Sequence, residues 1–165
     1  MRIATFNVNG ITSRLATLLL WLRREKPDVV CLQELKAADK SFPADDIRTA
    51  GYGVIWHGQR SWNGVAILAD GTMPVEVQRG LPGDPEDEQA RYLEVEVFDT
   101  RIACIYLPNG NPLPGPKFDY KLAWMERLNA RMRAIAAEEV PAVVLGDYKA
   151  TFSKEAWALA RTTRA

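Results

Sequence analysis

Residues 2–34 read RIATFNVNGITSRLATLLLWLRREKPDVVCLQE, and the change of period along them decides the fold. From Arg2 to Val8 the residues alternate as in a strand, and the run ends at Asn9-Gly10. Ser13 has the chemistry of a helix N-cap, and Leu15, Leu18, Leu19 and Leu22 recur at helical spacing up to Lys26. Pro27 has no backbone N–H to continue a helix, and Asp28 to Glu34 is a short apolar run suited to a buried strand. The opening is therefore β-α-β, the unit that joins two parallel strands.

Further along, a short helix is expected from Pro43 to Ala50, closed by Gly51. Short runs with turn punctuation follow at Gly53–His57, Gly64–Leu68, Pro74–Arg79, Tyr92–Phe98 and Arg101–Leu107, a texture that reads as an antiparallel meander. Phe118 to Glu139 carries Leu122, Met125, Leu128, Met132 and Ile135 at spacings of three and four, the stripe of an amphipathic helix. After Pro141, Ala142 to Leu145 is a buried strand ending at Gly146-Asp147. Strands of both kinds with helices at both ends define an α/β sandwich whose helices cover the outer faces.

The chain has 165 residues, 47% of them apolar and 25% charged, the balance of a globular domain. Lys and Arg number 21 and Asp and Glu number 21, so no overall positive field draws in nucleic acid, and any such contact needs a local patch. Asp84, Glu86, Asp87 and Glu88 cluster, and Lys149, Lys154, Arg161 and Arg164 give the last segment a basic excess; both read as solvated surface. Cys31 and Cys104 lie inside apolar runs and read as buried free thiols. The first residues lack a signal-like apolar core and Leu18–Leu22 is too short to cross a bilayer, so a cytoplasmic location without membrane contact is expected.

Four apolar rows end in a polar side chain when read with period two. Ile3 and Thr5 lead to Asn7, Val30 and Leu32 to Glu34, Ile102 and Cys104 to Tyr106, and Val143 and Leu145 to Asp147. Strand ends are rigid and open to solvent, and two acids, an amide and a phenol suit phosphoester hydrolysis with a hard metal ion. Glu34 would bind the metal, Asn7 would hold it or its water, Asp147 would activate water, and Tyr106 would donate to the phosphate. The plainer alternative is a pair of solvated carboxylates, a core-edge tyrosine and a turn-forming asparagine, and spacing alone leaves both open.

Longer motifs add to this. Thr5-Phe6-Asn7-Val8-Asn9-Gly10, Pro27-Asp28-Val29-Val30-Cys31-Leu32-Gln33-Glu34-Leu35-Lys36, His57-Gly58-Gln59, Asn63-Gly64-Val65-Ala66-Ile67-Leu68, Arg79-Gly80-Leu81-Pro82-Gly83-Asp84, Tyr106-Leu107-Pro108-Asn109-Gly110 and Leu145-Gly146-Asp147 occur in that order. Together they resemble the exonuclease III and apurinic/apyrimidinic endonuclease family of the endonuclease/exonuclease/phosphatase superfamily. The resemblance implies a four-layered α/β sandwich, a Mg²⁺ (or Mn²⁺) cofactor, and hydrolysis of double-stranded DNA at an abasic site or a 3′ end. It implies that Glu34 and Asn7 form the metal side, Tyr106 contacts phosphate and Asp147 aligns or deprotonates the water. It also implies DNA contacts for Trp62, Arg91 and Asn109, with Arg60 beside Trp62, while the sole histidine, His57, is structural.

The resemblance covers residues 1–148, the N-terminal portion of the family's domain, and residues 149–165 read as a divergent tail. Lys149 stands where the family pattern has asparagine, bringing a positive charge that would compete with a metal. A second sheet, a further aspartate and an aspartate-histidine pair would come later in the family. The sequence therefore reads as part of the sandwich, truncated, with an apolar sheet face left exposed and the chain inactive. The alternatives are a non-catalytic remnant with weak DNA binding and a phosphatase of the same superfamily.

Overall fold

A computed structural model describes residues 1–112 and 114–149; the tail 150–165 lies outside the described residues. The chain runs β1 (Ile3–Asn7), α1 (Ile11–Glu25), β2 (Val29–Gln33), α2 (Ala44–Thr49), β3 (Tyr52–His57), β4 (Val65–Asp70), β5 (Val75–Arg79), β6 (Tyr92–Val97), β7 (Thr100–Tyr106), α3 (Pro116–Ala137) and β8 (Ala142–Asp147). The α1 boundary differs from expectation, because Gly10 caps it and Ser13 lies inside its first turn, donating from its hydroxyl to the Gly10 carbonyl at 3.1 Å. Lys26, in the left-handed region, ends α1 just before Pro27.

The strands form two sheets ordered β1-β2-β4-β3 and β5-β6-β7-β8. The expected β-α-β opening holds, with β1 and β2 parallel, and β7 and β8 repeat that parallel pairing in the second sheet. The expected meander is corrected: β3 and β4 pair within the first sheet, whereas β5, β6 and β7 run antiparallel in the second. Local alternation marks a strand but not its partner, and the choice falls to burial. The β6–β7 hairpin turns through Phe98 and Asp99 at φ 51° and 54°, the positive values a two-residue turn of matching twist requires.

Three apolar layers hold this together. Leu18 and Leu22 of α1 and Ile47 of α2 pack on Val30, Leu32, Val54, Ala66 and Leu68, covering the first sheet. Val29, Cys31, Val65 and Ile67 meet Leu93, Val95, Ile102 and Cys104 between the sheets. Trp124 of α3 packs on Tyr92, Ala103 and Ile105, covering the second sheet. The order helix, sheet, sheet, helix is a four-layered α/β sandwich. Two expectations fail here. The second sheet is built within the described residues, and the inner sheet faces bury each other instead of leaving one exposed. The exposure lies at one flank, where Phe6 of β1 is 38% accessible and β8 is only partly buried.

Helix α3 also departs from its expected stripe, since Leu122 and Met125 face solvent and Trp124 is the buried anchor. Leu128, Met132 and Ile135 of the stripe do face the core, and charge adds to their hold on the helix. Arg131 donates to Glu94 Oε1 and Oε2 at 2.7 and 3.0 Å, Arg101 donates to Glu94 Oε1 at 2.8 Å, and the Tyr92 hydroxyl donates to Oε2 at 2.7 Å. Both cysteines are buried and free. No helix among the described residues is long and apolar enough to cross a membrane.

Burial alone would raise the Glu94 carboxyl, but hydrogen bonds from Arg131, Tyr92 and Arg101 outweigh it and hold the group below its ordinary value. A carboxyl depressed on folding stabilises the protein above its unfolded pKa, and that gain is lost as pH falls through the depressed value. Glu94→Ala should cost about 1–3 kcal/mol in urea unfolding at neutral pH, because Arg131 and Tyr92 lose their buried acceptor while Arg101 keeps Glu96 and Glu138. Glu94→Gln should flatten the acid-side loss of stability seen in the parent chain.

Candidate active site

One end of the sandwich gathers side chains from both sheets. Asn7 ends β1, Tyr106 ends β7 and Asp147 ends β8, each continuing a row that faces the inter-sheet core. Glu34 arrives differently. Val30 and Leu32 face the helices, so period two would aim Glu34 outward, away from the inter-sheet core. The chain leaves β2 at Gln33, and Glu34 takes φ 55°, a left-handed turn that brings its carboxylate to the Tyr106 hydroxyl, which donates to Oε1. Gly64 allows this path: it accepts from the Leu35 N–H at 3.3 Å, and a Cβ on it would lie 2.7 Å from the Leu35 Cβ.

Asn7 donates from Nδ2 to Asp147 Oδ2 at 2.9 Å and accepts the Asn9 backbone N–H on Oδ1, also at 2.9 Å. The amide thus links one edge strand of each sheet, β1 and β8. Asp147 depends in turn on Gly146, where a Cβ would stand 1.9 Å from the Ile105 carbonyl oxygen, so only glycine lets β8 lie this close to β7. Burial would raise the Glu34 carboxyl, but hydrogen bonds from Tyr106, Asn7 and Lys149 overcome it and lower the group to about 2. Glu34 is an anion at neutral pH.

A cleft of about 430 Å³ opens in front of Glu34 and Tyr106. Trp62, Arg91 and Asn109 line it with Glu34 and Tyr106, so the three residues singled out for DNA contact share a mouth with two of the strand-end groups, while Asn7 and Asp147 are not part of its lining. Trp62 is 70% accessible. Arg91 donates to Gln89 Oε1 at 2.7 Å and to the Tyr106 carbonyl at 3.2 Å, with its guanidinium 5.0 Å from the Tyr106 ring centroid. His57 pairs with Val65 in the first sheet and does not line the cleft. A larger hollow of about 620 Å³ lies between α1 and β1, but it is lined mainly by apolar groups such as Phe6, Leu18 and Trp21, remote from this chemistry.

Two expectations about charge change. Asp87 is no free surface acid, since it pairs with Arg127 at 2.6 Å and accepts from the Tyr120 hydroxyl at 3.0 Å. Lys149 is no surface cation, since its Nζ lies 3.1 Å from Glu34 Oε1 and 3.7 Å from Asp147 Oδ2. Lys36 Nζ contacts the other Glu34 oxygen at 3.3 Å. Lys36, Gln89, Lys117 and Tyr120 also line the cleft, roles that the sequence did not assign. Lys36 could have been suspected from its place two residues after Glu34; the other three are brought in by tertiary packing alone.

Carboxylate oxygens are the donors a hard divalent cation takes. Among the described residues no group of three Asp, Glu, His or Cys is placed to hold a metal, so the donor type suits Mg²⁺ while the charge in front of Glu34 is already supplied by lysine.

A four-layered sandwich thus carries carboxylate, amide and phenol side chains at one open end of its paired sheets. The chain belongs to the Endonuclease/Exonuclease/phosphatase family, whose profile matches residues 4–148. It is 33% identical over 152 residues to exodeoxyribonuclease III of Haemophilus influenzae, an alignment covering 89% of this chain and 57% of that protein. Among solved structures it is similar to a 3′ phosphatase from Neisseria bound to product DNA hairpin, with a TM-score of 0.89 at 35% identity over 93% of this chain and 60% of that one. An AP endonuclease from Archaeoglobus fulgidus gives a TM-score of 0.86 at 36% identity, with 93% and 59% coverage. The chain thus spans a little over half the length of these relatives.

Tyr106→Phe should raise the Glu34 pKa toward the ordinary carboxylate range, read from the carboxyl carbon in an NMR titration, because it removes the leading hydrogen bond that favours the anion. Gly146→Ala should destabilise the chain by about 1–3 kcal/mol in urea unfolding as β8 shifts off β7.

Proposed function

We propose that this site serves metal-assisted hydrolysis of a DNA phosphodiester in a duplex, at an abasic site or a 3′ end. The observation that carries the reading is that Glu34 and Tyr106 line one cleft with Trp62, Arg91 and Asn109, while Asn7 and Asp147, hydrogen-bonded to each other, stand behind it, with Lys149 bridging Glu34 and Asp147. Glu34, with Asn7 beside it, forms the side that would take Mg²⁺ or Mn²⁺; when bound, such an ion stabilises charge developing on phosphate oxygens. The Tyr106 hydroxyl, which donates to Glu34 in the structure, turns to donate to a phosphate oxygen once one is bound. Asp147, fixed by the Asn7 amide, orients the attacking water or takes its proton. Trp62 offers a face for a base or sugar, and Arg91 and Asn109 hold the strand's backbone.

The same reading gives the 165 residues by themselves little hydrolytic activity. Glu34 and Asp147 are the site's carboxylates among the described residues, and both Glu34 oxygens face ammonium groups. Removal of a 3′ phosphate is a second reading, favoured by the likeness to the Neisseria 3′ phosphatase.

Three labelled duplexes test this: one with an abasic site, one with a recessed 3′ end and one with a 3′ phosphate, each with Mg²⁺. Binding by fluorescence anisotropy should weaken roughly fivefold or more in Trp62→Ala, the loss expected from one stacking contact. Arg91→Ala should weaken it further and lower its salt dependence. Any trace of product on a gel should vanish in Glu34→Ala, and the duplex that yields it identifies the reaction. Equal binding by parent and variants, or product that survives Glu34→Ala, would overturn the reading.

A further inference from the structure

Glu34, in the cleft, and Asp147, behind it, already hold a cation, and it belongs to the chain itself. Lys149 Nζ lies 3.1 Å from Glu34 Oε1, 3.7 Å from Asp147 Oδ2 and 4.8 Å from the centre of the Tyr106 ring. Two anions and an aromatic face are the surroundings that attract a positive ion. The lysine backbone is held as well, since its carbonyl accepts from Lys121 Nζ of α3 at 2.7 Å. Its side chain is 29% accessible, so it is enclosed by the cleft wall without being sealed from water.

We propose that Lys149 is a tethered cation that occupies the position in front of Glu34 and Asp147, so that the chain binds a divalent metal weakly there while Lys149 is in place. The inference rests on the reading of Glu34 as the metal-side residue. A tethered group competes at high effective concentration, and an arriving ion must both displace the ammonium and tolerate its charge nearby.

Lys36 supplies the internal comparison. It also touches Glu34, at Oε2 and 3.3 Å, but the Asn9 side chain accepts from its Nζ, and the contacts with Asp147 and the Tyr106 ring belong to Lys149. A general loss of one positive charge and removal of the occupying cation therefore predict different results. The first makes the two lysines equivalent; the second does not.

The test is a titration of the full 165-residue chain with Mn²⁺, free ion being counted by electron paramagnetic resonance and folding checked by circular dichroism. Lys149→Asn should tighten the Mn²⁺ Kd by about tenfold or more, and Lys36→Gln should change it by less than about threefold. Adding Glu34→Gln to Lys149→Asn should abolish the gain. Equal Mn²⁺ affinity in the parent and Lys149→Asn, with both dependent on Glu34, overturns the role of Lys149 and leaves the metal side standing. Absence of Mn²⁺ binding in both overturns both. A gain that survives Glu34→Gln, or that Lys36→Gln reproduces, overturns the inference as well.

Discussion

The structure depends on the apolar contact between the inner faces of its two sheets. Val29, Cys31, Val65 and Ile67 on one side and Leu93, Val95, Ile102 and Cys104 on the other are buried together, and that burial fixes where each strand ends. Because the sheets are locked face to face, the ends of β1, β7 and β8 are held at hydrogen-bonding distance without any local sequence relation between them. Asn7 and Asp147 lie 140 residues apart and share a hydrogen bond of 2.9 Å. A site assembled this way is as rigid as the core beneath it, which is what reaction geometry requires.

Polar groups inside the sandwich do a second job. Glu94 is buried in the second sheet and neutralised by arginines from β7 and α3, so a charged network orients the long helix where its apolar face is weak. Gln33 similarly spends its amide between the sheets, donating to the Thr5 hydroxyl at 2.9 Å and to the Cys31 carbonyl at 3.1 Å. The chain therefore leaves β2 from a fixed point, and the left-handed residue that follows sets the direction of Glu34.

Much of this was legible in the sequence. The period changes in residues 2–34 located β1, α1 and β2, and the polar ends of four apolar rows named Asn7, Glu34, Tyr106 and Asp147. What escaped was what only pairing decides. The meander dissolved because a strand's alternation does not identify its neighbour, and the α3 stripe shifted because Trp124 and Arg131 outweighed Leu122 and Met125. Glu34 joins the cluster although the parity argument that singles it out fails in detail, since its row faces the helices and a backbone turn redirects it. Lys149 reads two ways in the sequence, as part of a solvated basic tail and as a charge in place of the family's asparagine, and only the approach of β8 to β2 and β7 shows that the anions beside it are Glu34 and Asp147.

The two flanks of the sandwich are not alike. Along β3 and β5 the free edges are guarded: β5 carries a bulge between Glu76 and Gln78, and Arg79 reaches across to the Trp56 carbonyl at 2.6 Å. Along β1 and β8 there is no such device among the described residues, and the strand residues are nearly uncharged, IATFN and AVVLGD, with Phe6 and the Trp21 hollow beside them. Unpaired backbone groups on an apolar rim act as a template for any extended segment that meets them. Among the described residues one flank of the sandwich thus has guarded strand edges and the other has open ones, so the two sides present different chemistry to an approaching chain.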